Sequence, residues 1–357
     1  MDPDPAEDVM ALLPPLLGSL DALGLFARHF HPPRFGTVME AIGSPDQALR
    51  TARERLDAWP EALAPQRAGL DAASNAVIAA FDALRAAPQQ PDGLRAVFRA
   101  LGQVPRAQEA LYPLAQILAP VSRFFLDPAA RQDEDLLARL ADAPSKEDVG
   151  LFHGGGEPGA RGGYSVYVPE YYTPDHAWPL VMALHGGSGN GRNFLWSWLS
   201  TARAKGAIVV APTAVGDTWA LMGPDEDTPN LLAILDQVRS RWSIDSEQML
   251  LGGMSDGGTF TYVSGLEPGS PFTHLAPVSA AFHPMLAQMA DRERLADLPI
   301  FLVHGALDWM FPIEMAREAE AALSAAGARV TYREIADLSH TYPREMSAAF
   351  LDWMNGA

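Results

Sequence analysis

Gly252-Gly253-Met254-Ser255-Asp256-Gly257-Gly258 is the stretch on which the reading of this chain turns. It follows the apolar run Gln248-Met249-Leu250-Leu251 and precedes Thr259-Phe260-Thr261-Tyr262-Val263. Strand, tight turn and helix are therefore expected in that order, the setting in which G-x-S-x-G lifts a serine hydroxyl clear of a sheet. Gly253 and Gly257 are expected where strand and helix approach too closely for side chains. Glycine and serine also gather in ordinary turns, so this motif alone decides little.

Three further segments fit the same chemistry, each after a predicted strand. Leu184-His185-Gly186-Gly187-Ser188-Gly189-Asn190 closes one strand with a glycine-rich loop whose N–H groups can approach a developing oxyanion. Ile300-Phe301-Leu302-Val303 runs into His304-Gly305-Ala306-Leu307-Asp308-Trp309-Met310-Phe311-Pro312, placing an acid in the turn before a helix. Ile335-Ala336-Asp337-Leu338-Ser339-His340-Thr341-Tyr342-Pro343 places a histidine in the last loop. Asp337 competes with Asp308 as the acid, but a loop residue three positions from His340 is poorly placed to orient its ring.

Taken together, the motifs resemble those of α/β-hydrolase serine esterases, in the chain order nucleophile, acid, base. The resemblance covers about residues 160–357 and is nearest to the phospholipase/carboxylesterase and feruloyl-esterase-like groups. It implies Ser255 as nucleophile, His340 as general base and acid, and Asp308 as the residue that fixes the imidazole tautomer. It also implies an oxyanion hole from the N–H groups of Gly187 and Asp256, and no metal or organic cofactor. Dienelactone hydrolases share the architecture but use cysteine, and this chain has none.

Outward from the elbow, residues 164–357 alternate strands and helices. Tyr164–Val168, Leu180–Leu184, Ala207–Ala211, His274–Val278, Ile300–Val303 and Val330–Glu334 read as strands, and Asn230–Trp242, Ile313–Ala326 and Tyr342–Met354 as helices. The fold class expected is α/β: a mainly parallel sheet flanked by helices, with its site at the carboxyl ends of the strands. Residues 1–145 read as an all-helical N-terminal domain rich in Ala, Leu and Arg, with Gly69–Leu84, Leu94–Leu101 and Ala110–Phe125 at helical spacing. Residues 146–163, glycine-rich from Gly150, read as a flexible linker; His153-Gly154-Gly155-Gly156 lacks the Gly-Lys-Ser/Thr ending of a phosphate loop.

The 357 residues carry a formal net charge of −18 and no cysteine, which excludes disulfides and thiolate metal sites. An acidic surface repels nucleic acid and anionic membranes, so neither is expected as a partner. The acidic start and the lack of any uninterrupted apolar run of membrane-spanning length give the expectation of a soluble, cytoplasmic protein. His29 and His31 lack acidic neighbours in the sequence and read as surface or packing residues rather than metal ligands.

Trp196, Trp219, Trp309 and Met310 lie near the motifs and are candidates for an apolar acyl or aryl pocket, with His283 at its rim; core packing is the alternative for each. Pro284–Leu298 has room for one helix, too little for a large cap. The helical N-terminal domain is therefore expected either to cover the pocket mouth or to make a homo-oligomer. The expected activity is hydrolysis of small-molecule carboxylic esters with short or medium acyl or aryl groups. Thioester cleavage and polyester depolymerisation use the same machinery. A reading of another class is a non-catalytic scaffold whose working part is the helical domain.

Overall fold

The computed structural model describes residues 4–144 and 146–356. It divides after Leu126 into two compact units. The first is helical, with Pro5–His29 and Ala64–Ala86 as its long members. Alanine and leucine favour helix, and the apolar stripe of Pro5–His29 (Leu12, Leu16, Leu23 and Phe26) is fully buried. Asp46 is also fully buried there and is held by Arg85 at 2.6 Å and Arg50 at 3.2 Å. Burial alone would raise its carboxyl, but the hydrogen bonds and charges of Arg85 and Arg50 outweigh that and hold it below the ordinary carboxylate range.

One expectation for this unit is corrected. Ala110–Phe125 is not one helix. It breaks into the end of Gln103–Leu111, a 3-10 stretch Tyr112–Gln116 and a helix Ala119–Phe124. Pro113 and Pro120 lack the N–H groups a continuous helix needs there. The helix Pro5–His29 is long and apolar enough, by length and composition alone, to cross a membrane, although Asp21 interrupts its apolar run. Pro14 and Pro15 lie inside it without ending it.

The second unit, from Asp127, begins with the helix Glu134–Ala141, capped by the Asp133 carboxylate accepting from the Leu136 N–H at 3.0 Å. The compact division thus falls before residue 145, and this helix goes with the sheet-bearing unit. The stretch expected as a linker is in part a strand. β1 (Gly150–Gly154) pairs antiparallel with β2 (Tyr164–Val168). Its glycines hide the strand pattern. Gly154 lies under the Tyr164 ring, where a Cβ would come within 2.5 Å of Cζ.

The remaining strands are β3 (Trp178–Leu184), β4 (Ile208–Pro212), β5 (Ile244–Met254), β6 (His274–Val278), β7 (Pro299–Gly305) and β8 (Arg329–Ile335). They form one sheet in the order β1-β2-β4-β3-β5-β6-β7-β8. β1, β2 and β4 pair antiparallel, and every pairing from β4 through β8 is parallel. β3 and β4 are almost wholly buried and correspondingly apolar, whereas β8, at the edge, alternates exposed and half-buried residues along most of its length. The register sets Leu184 opposite Gly253, Met254 opposite Val278, Val278 opposite Val303 and Gly305 opposite Ile335. The carboxyl ends of β3, β5, β6, β7 and β8 therefore finish in one row, and the loops that follow them meet.

Flanking helices include Asp227–Arg241, Asp256–Gly265, Ile313–Ala325 and Met346–Met354. Pro284–Leu298 holds two short helices rather than one, Met285–Met289 and Arg292–Leu295. Ala290 is extended between them, and Asp291 caps the second by accepting from the Arg294 N–H at 2.9 Å.

Candidate active site

Ser255 stands between β5 and the helix Asp256–Gly265 with φ 58° and ψ −120°, a conformation that L residues rarely adopt. The turn is possible because both flanking glycines are compressed. A Cβ at Gly253 would collide with the Gly257 backbone and with Leu184, and one at Gly257 with the carbonyls of Leu184 and His185. The Ser255 N–H donates to the Val278 carbonyl at 2.9 Å, which ties the turn to β6. The side chain is thus fixed at the amino end of a ten-residue helix, where the backbone dipole favours negative charge.

The loop after β8 brings His340 to it. Nε2 of His340 lies 3.1 Å from Ser255 Oγ, and Nδ1 lies 2.8 Å from Asp308 Oδ2. The other oxygen of Asp308, Oδ1, accepts the N–H groups of Met310 at 2.9 Å and Phe311 at 2.8 Å. The Asp308 side chain has no exposed surface and that of His340 only 5%. Burial pushes the Asp308 carboxyl up. The His340 hydrogen bond and charge and the two backbone donors outweigh burial, leaving it below its ordinary value and ionised. An ionised Oδ2 accepts the Nδ1–H, so the Nε2 lone pair faces Ser255, and the serine hydroxyl donates to it. Asp337 is exposed on the same loop, and the ring nitrogens of His340 point to Asp308 and Ser255 instead.

The loop after β3 faces Ser255. Its tight turn carries Ser188 at φ 57°, with the Gly189 N–H donating to the Gly186 carbonyl at 3.0 Å. His185 braces it: Nδ1–H donates to the Gly186 carbonyl at 2.7 Å, and Nε2 accepts the Ala214 N–H at 3.1 Å. Burial pushes the His185 imidazole down to about 4, so it stays neutral in this frame. Arg161 adds a third brace, donating to the Gly189 carbonyl at 3.0 Å. The N–H groups of Gly187 and Asp256 donate to no acceptor among the described residues, and a Cβ at Gly186 would meet the Ser255 Cβ at 3.6 Å, which sets this loop against the elbow.

Other expected site residues separate into two sets. Trp309 stands edge-on to the His340 ring with centroids 6.3 Å apart, and Met310 next to it is exposed. Trp196 and Trp219, by contrast, are buried. Trp219 stacks on Phe260 at 5.3 Å and donates its indole N–H to the His185 carbonyl at 2.7 Å, so it braces the loop from inside the core rather than forming an open wall. His283 is exposed, and its Nδ1 accepts the Met285 N–H at 3.2 Å, which starts a short helix. A cavity of about 350 Å³ opens elsewhere, between Asp225 and Pro271, and is not lined by the triad.

Of three further residues near the chemistry, the sequence leads one to expect His304, at the end of a buried strand, to pack, and it does not single out Thr218 or Arg161. His304 is buried below the acid, with Nε2 3.4 Å from Asp308 Oδ2 and donating to the Phe311 carbonyl at 3.0 Å. Its spacing, four residues before Asp308, was the available signal. Thr218 donates to Asp256 Oδ2 at 2.6 Å, and Arg161 reaches in from the glycine-rich segment; neither lies in a motif.

Comparisons with known proteins find similarity to esterases. Residues 225–355 match the family model described as Phospholipase/Carboxylesterase. The chain is 32% identical over 156 residues to a bifunctional acetylxylan esterase/xylanase of Neocallimastix patriciarum, covering 43% of this chain and 22% of that protein. It is 31% identical over 106 residues to a probable feruloyl esterase C of Aspergillus clavatus, covering 28% and 39%. The chain thus spans well under half the length of these two relatives. The fluorophosphonate-binding serine hydrolase F of Staphylococcus aureus superposes with a TM-score of 0.48 at 17% identity, over 57% of this chain and 96% of that one. The similarity to the phospholipase/carboxylesterase family of α/β-hydrolases thus lies within the sheet-bearing unit and takes in Ser255, Asp308 and His340.

Proposed function

We propose that this chain is a serine esterase that cleaves carboxylic esters of short or medium acyl or aryl acids through an acyl-enzyme. The observation that carries the reading is the hydrogen-bonded line Ser255–His340–Asp308, at 3.1 and 2.8 Å, with the serine held in a left-handed backbone conformation. Ser255 Oγ attacks the ester carbonyl as its proton passes to His340 Nε2. The imidazolium is stabilised by Asp308, and the tetrahedral oxyanion by the N–H groups of Gly187 and Asp256, one such donor being worth about 3 kcal/mol in comparable sites. His340 then protonates the departing alcohol. Water, deprotonated by the same nitrogen, releases the acid and restores Ser255. Two relatives are named for acetyl and feruloyl esters, which makes those acyl groups the first to assay.

The test is Ser255→Ala. Turnover of an aryl acetate is expected to fall by about 10⁴ or more, because members of such a unit act together. The variant should also lose covalent labelling by a fluorophosphonate probe while its thermal transition stays in place. Near-normal hydrolysis by this variant would refute the assignment of the nucleophile.

A further inference from the structure

We propose that Asp256 sets the charge preference of this site. It favours esters that carry a hydrogen-bond donor, a hydroxyl or ammonium group, close to the scissile carbonyl, and it discriminates against esters that carry an anionic group there. This rests on Ser255 being the nucleophile.

Asp256 has two ends that face the same small volume. Its N–H lies at the start of the helix that follows Ser255, where negative charge is to develop. Its carboxylate sits against Gly187, the other donor of the proposed oxyanion hole: a Cβ at Gly187 would come within 2.6 Å of Oδ2. An uncompensated anion beside that hole opposes the charge that forms on the carbonyl oxygen. One compensation is built in, the Thr218 hydroxyl donating to Oδ2 at 2.6 Å. The second oxygen, Oδ1, accepts no hydrogen bond from any described residue, and the side chain is only half-buried. A free acceptor lone pair on a reachable, charged oxygen next to the nucleophile is a feature that a substrate donor can complete. A bound ammonium would compensate the carboxylate's charge, and a bound hydroxyl would satisfy its free lone pair, as the oxyanion forms, while a substrate carboxylate would add a second like charge. Thr218 is itself fixed, because the loop carrying it is anchored by buried Asp227, which accepts the N–H groups of Val215 at 2.8 Å and Ala220 at 2.7 Å. The guanidinium of Arg161, on the Gly189 carbonyl, remains as a nearby cation when Asp256 is neutralised.

The experiment measures kcat/KM of the full chain for four isosteric aryl esters whose acyl chains end in methyl, hydroxymethyl, ammonium or carboxylate groups. Each enzyme serves as its own reference, so a uniform loss from a disturbed backbone donor cancels. The wild type should prefer ammonium over carboxylate by at least about tenfold at low salt, and salt should compress the ratio. Asp256→Asn should bring the ratio to about one or invert it, since Arg161 stays. Thr218→Val retains the charge and should retain the rejection of the carboxylate ester, which separates charge from loop geometry. A ratio that Asp256→Asn leaves unchanged overturns the inference, even if the methyl ester is hydrolysed normally. Failure of the wild type to hydrolyse any of the four, with no labelling of Ser255, overturns the functional reading instead.

Discussion

Replacing Asp308 by asparagine alters one atom of the acid and is expected to remove almost all activity. The structure dictates how the amide would sit. Oδ1 of Asp308 accepts two backbone N–H groups, from Met310 at 2.9 Å and Phe311 at 2.8 Å. Only the amide oxygen can take that position, so the amide NH₂ must face His340 where Oδ2 now lies, 2.8 Å from Nδ1. Nδ1 would then have to accept, its proton would move to Nε2, and Nε2–H would point at Ser255. The base would be the wrong tautomer with its geometry intact. Comparable tautomer errors in serine hydrolases lower kcat by about 10⁴, or about 5 kcal/mol of transition-state stabilisation. Steady-state hydrolysis of an aryl acetate measures it, with circular dichroism confirming the fold and KM expected to change little. Asp337→Asn is the control and should lie within about twofold of wild type, since an exposed loop acid carries little energy. A loss of less than tenfold in Asp308→Asn, or an equal loss in Asp337→Asn, would mean that Asp308 does not fix the tautomer of His340.

Two further outcomes follow from the packing and electrostatics. Gly253→Ala should destabilise the fold by about 3 kcal/mol or more, because the new methyl meets the Gly257 backbone and Leu184, which cannot move aside as a flexible side chain would. Scanning calorimetry should show a fall of several degrees, and an unchanged transition would count against the close approach of strand and helix. Stability should also decline as pH falls from about 6.5 toward 4. Burial holds His185 at about 4, against an ordinary 6.5, so in that window the unfolded chain binds a proton that the folded one refuses. The contribution is complete above 6.5 and disappears toward 4, amounting to about 3 kcal/mol for a group this buried. Chemical denaturation at pH 7.5 and 4.5 should reveal it, and His185→Asn should lessen it; a flat profile in the wild type would mean the imidazole is not held neutral.

The parts of this molecule that were legible in the sequence are those in which backbone needs restrict residue choice. The elbow requires glycine at 253 and 257, and buried parallel strands require unbroken apolar runs, so β3 through β7 and the loops after them could be located. β1 was not legible, because Gly150, Gly154 and their neighbours remove the alternation by which an antiparallel strand is recognised. The broken helix at Pro113 and Pro120 shows local chemistry overriding helical spacing. Around the site, aromatic residues could not be sorted from sequence. Trp309 and Trp219 both follow strands, but only the tertiary partners of Trp219, Phe260 and His185, put it inside the core. Thr218 and Arg161 escape sequence reading because each acts through one contact made in three dimensions, which no spacing encodes.

His340, the proposed general base, hangs from the margin of the sheet. β8 has a neighbour on one side only, and much of its length is open to water, whereas the strand bearing the nucleophile is flanked on both sides. Strands at a border, with few buried contacts, are the first to detach when a protein loosens locally. The triad is therefore tethered unevenly: two members are rooted in the interior, and the third rides on a segment that can come away while the remainder persists. In the proposed mechanism, catalytic competence is more fragile than the fold that supports it, and mild stress should silence hydrolysis before it unravels the chain.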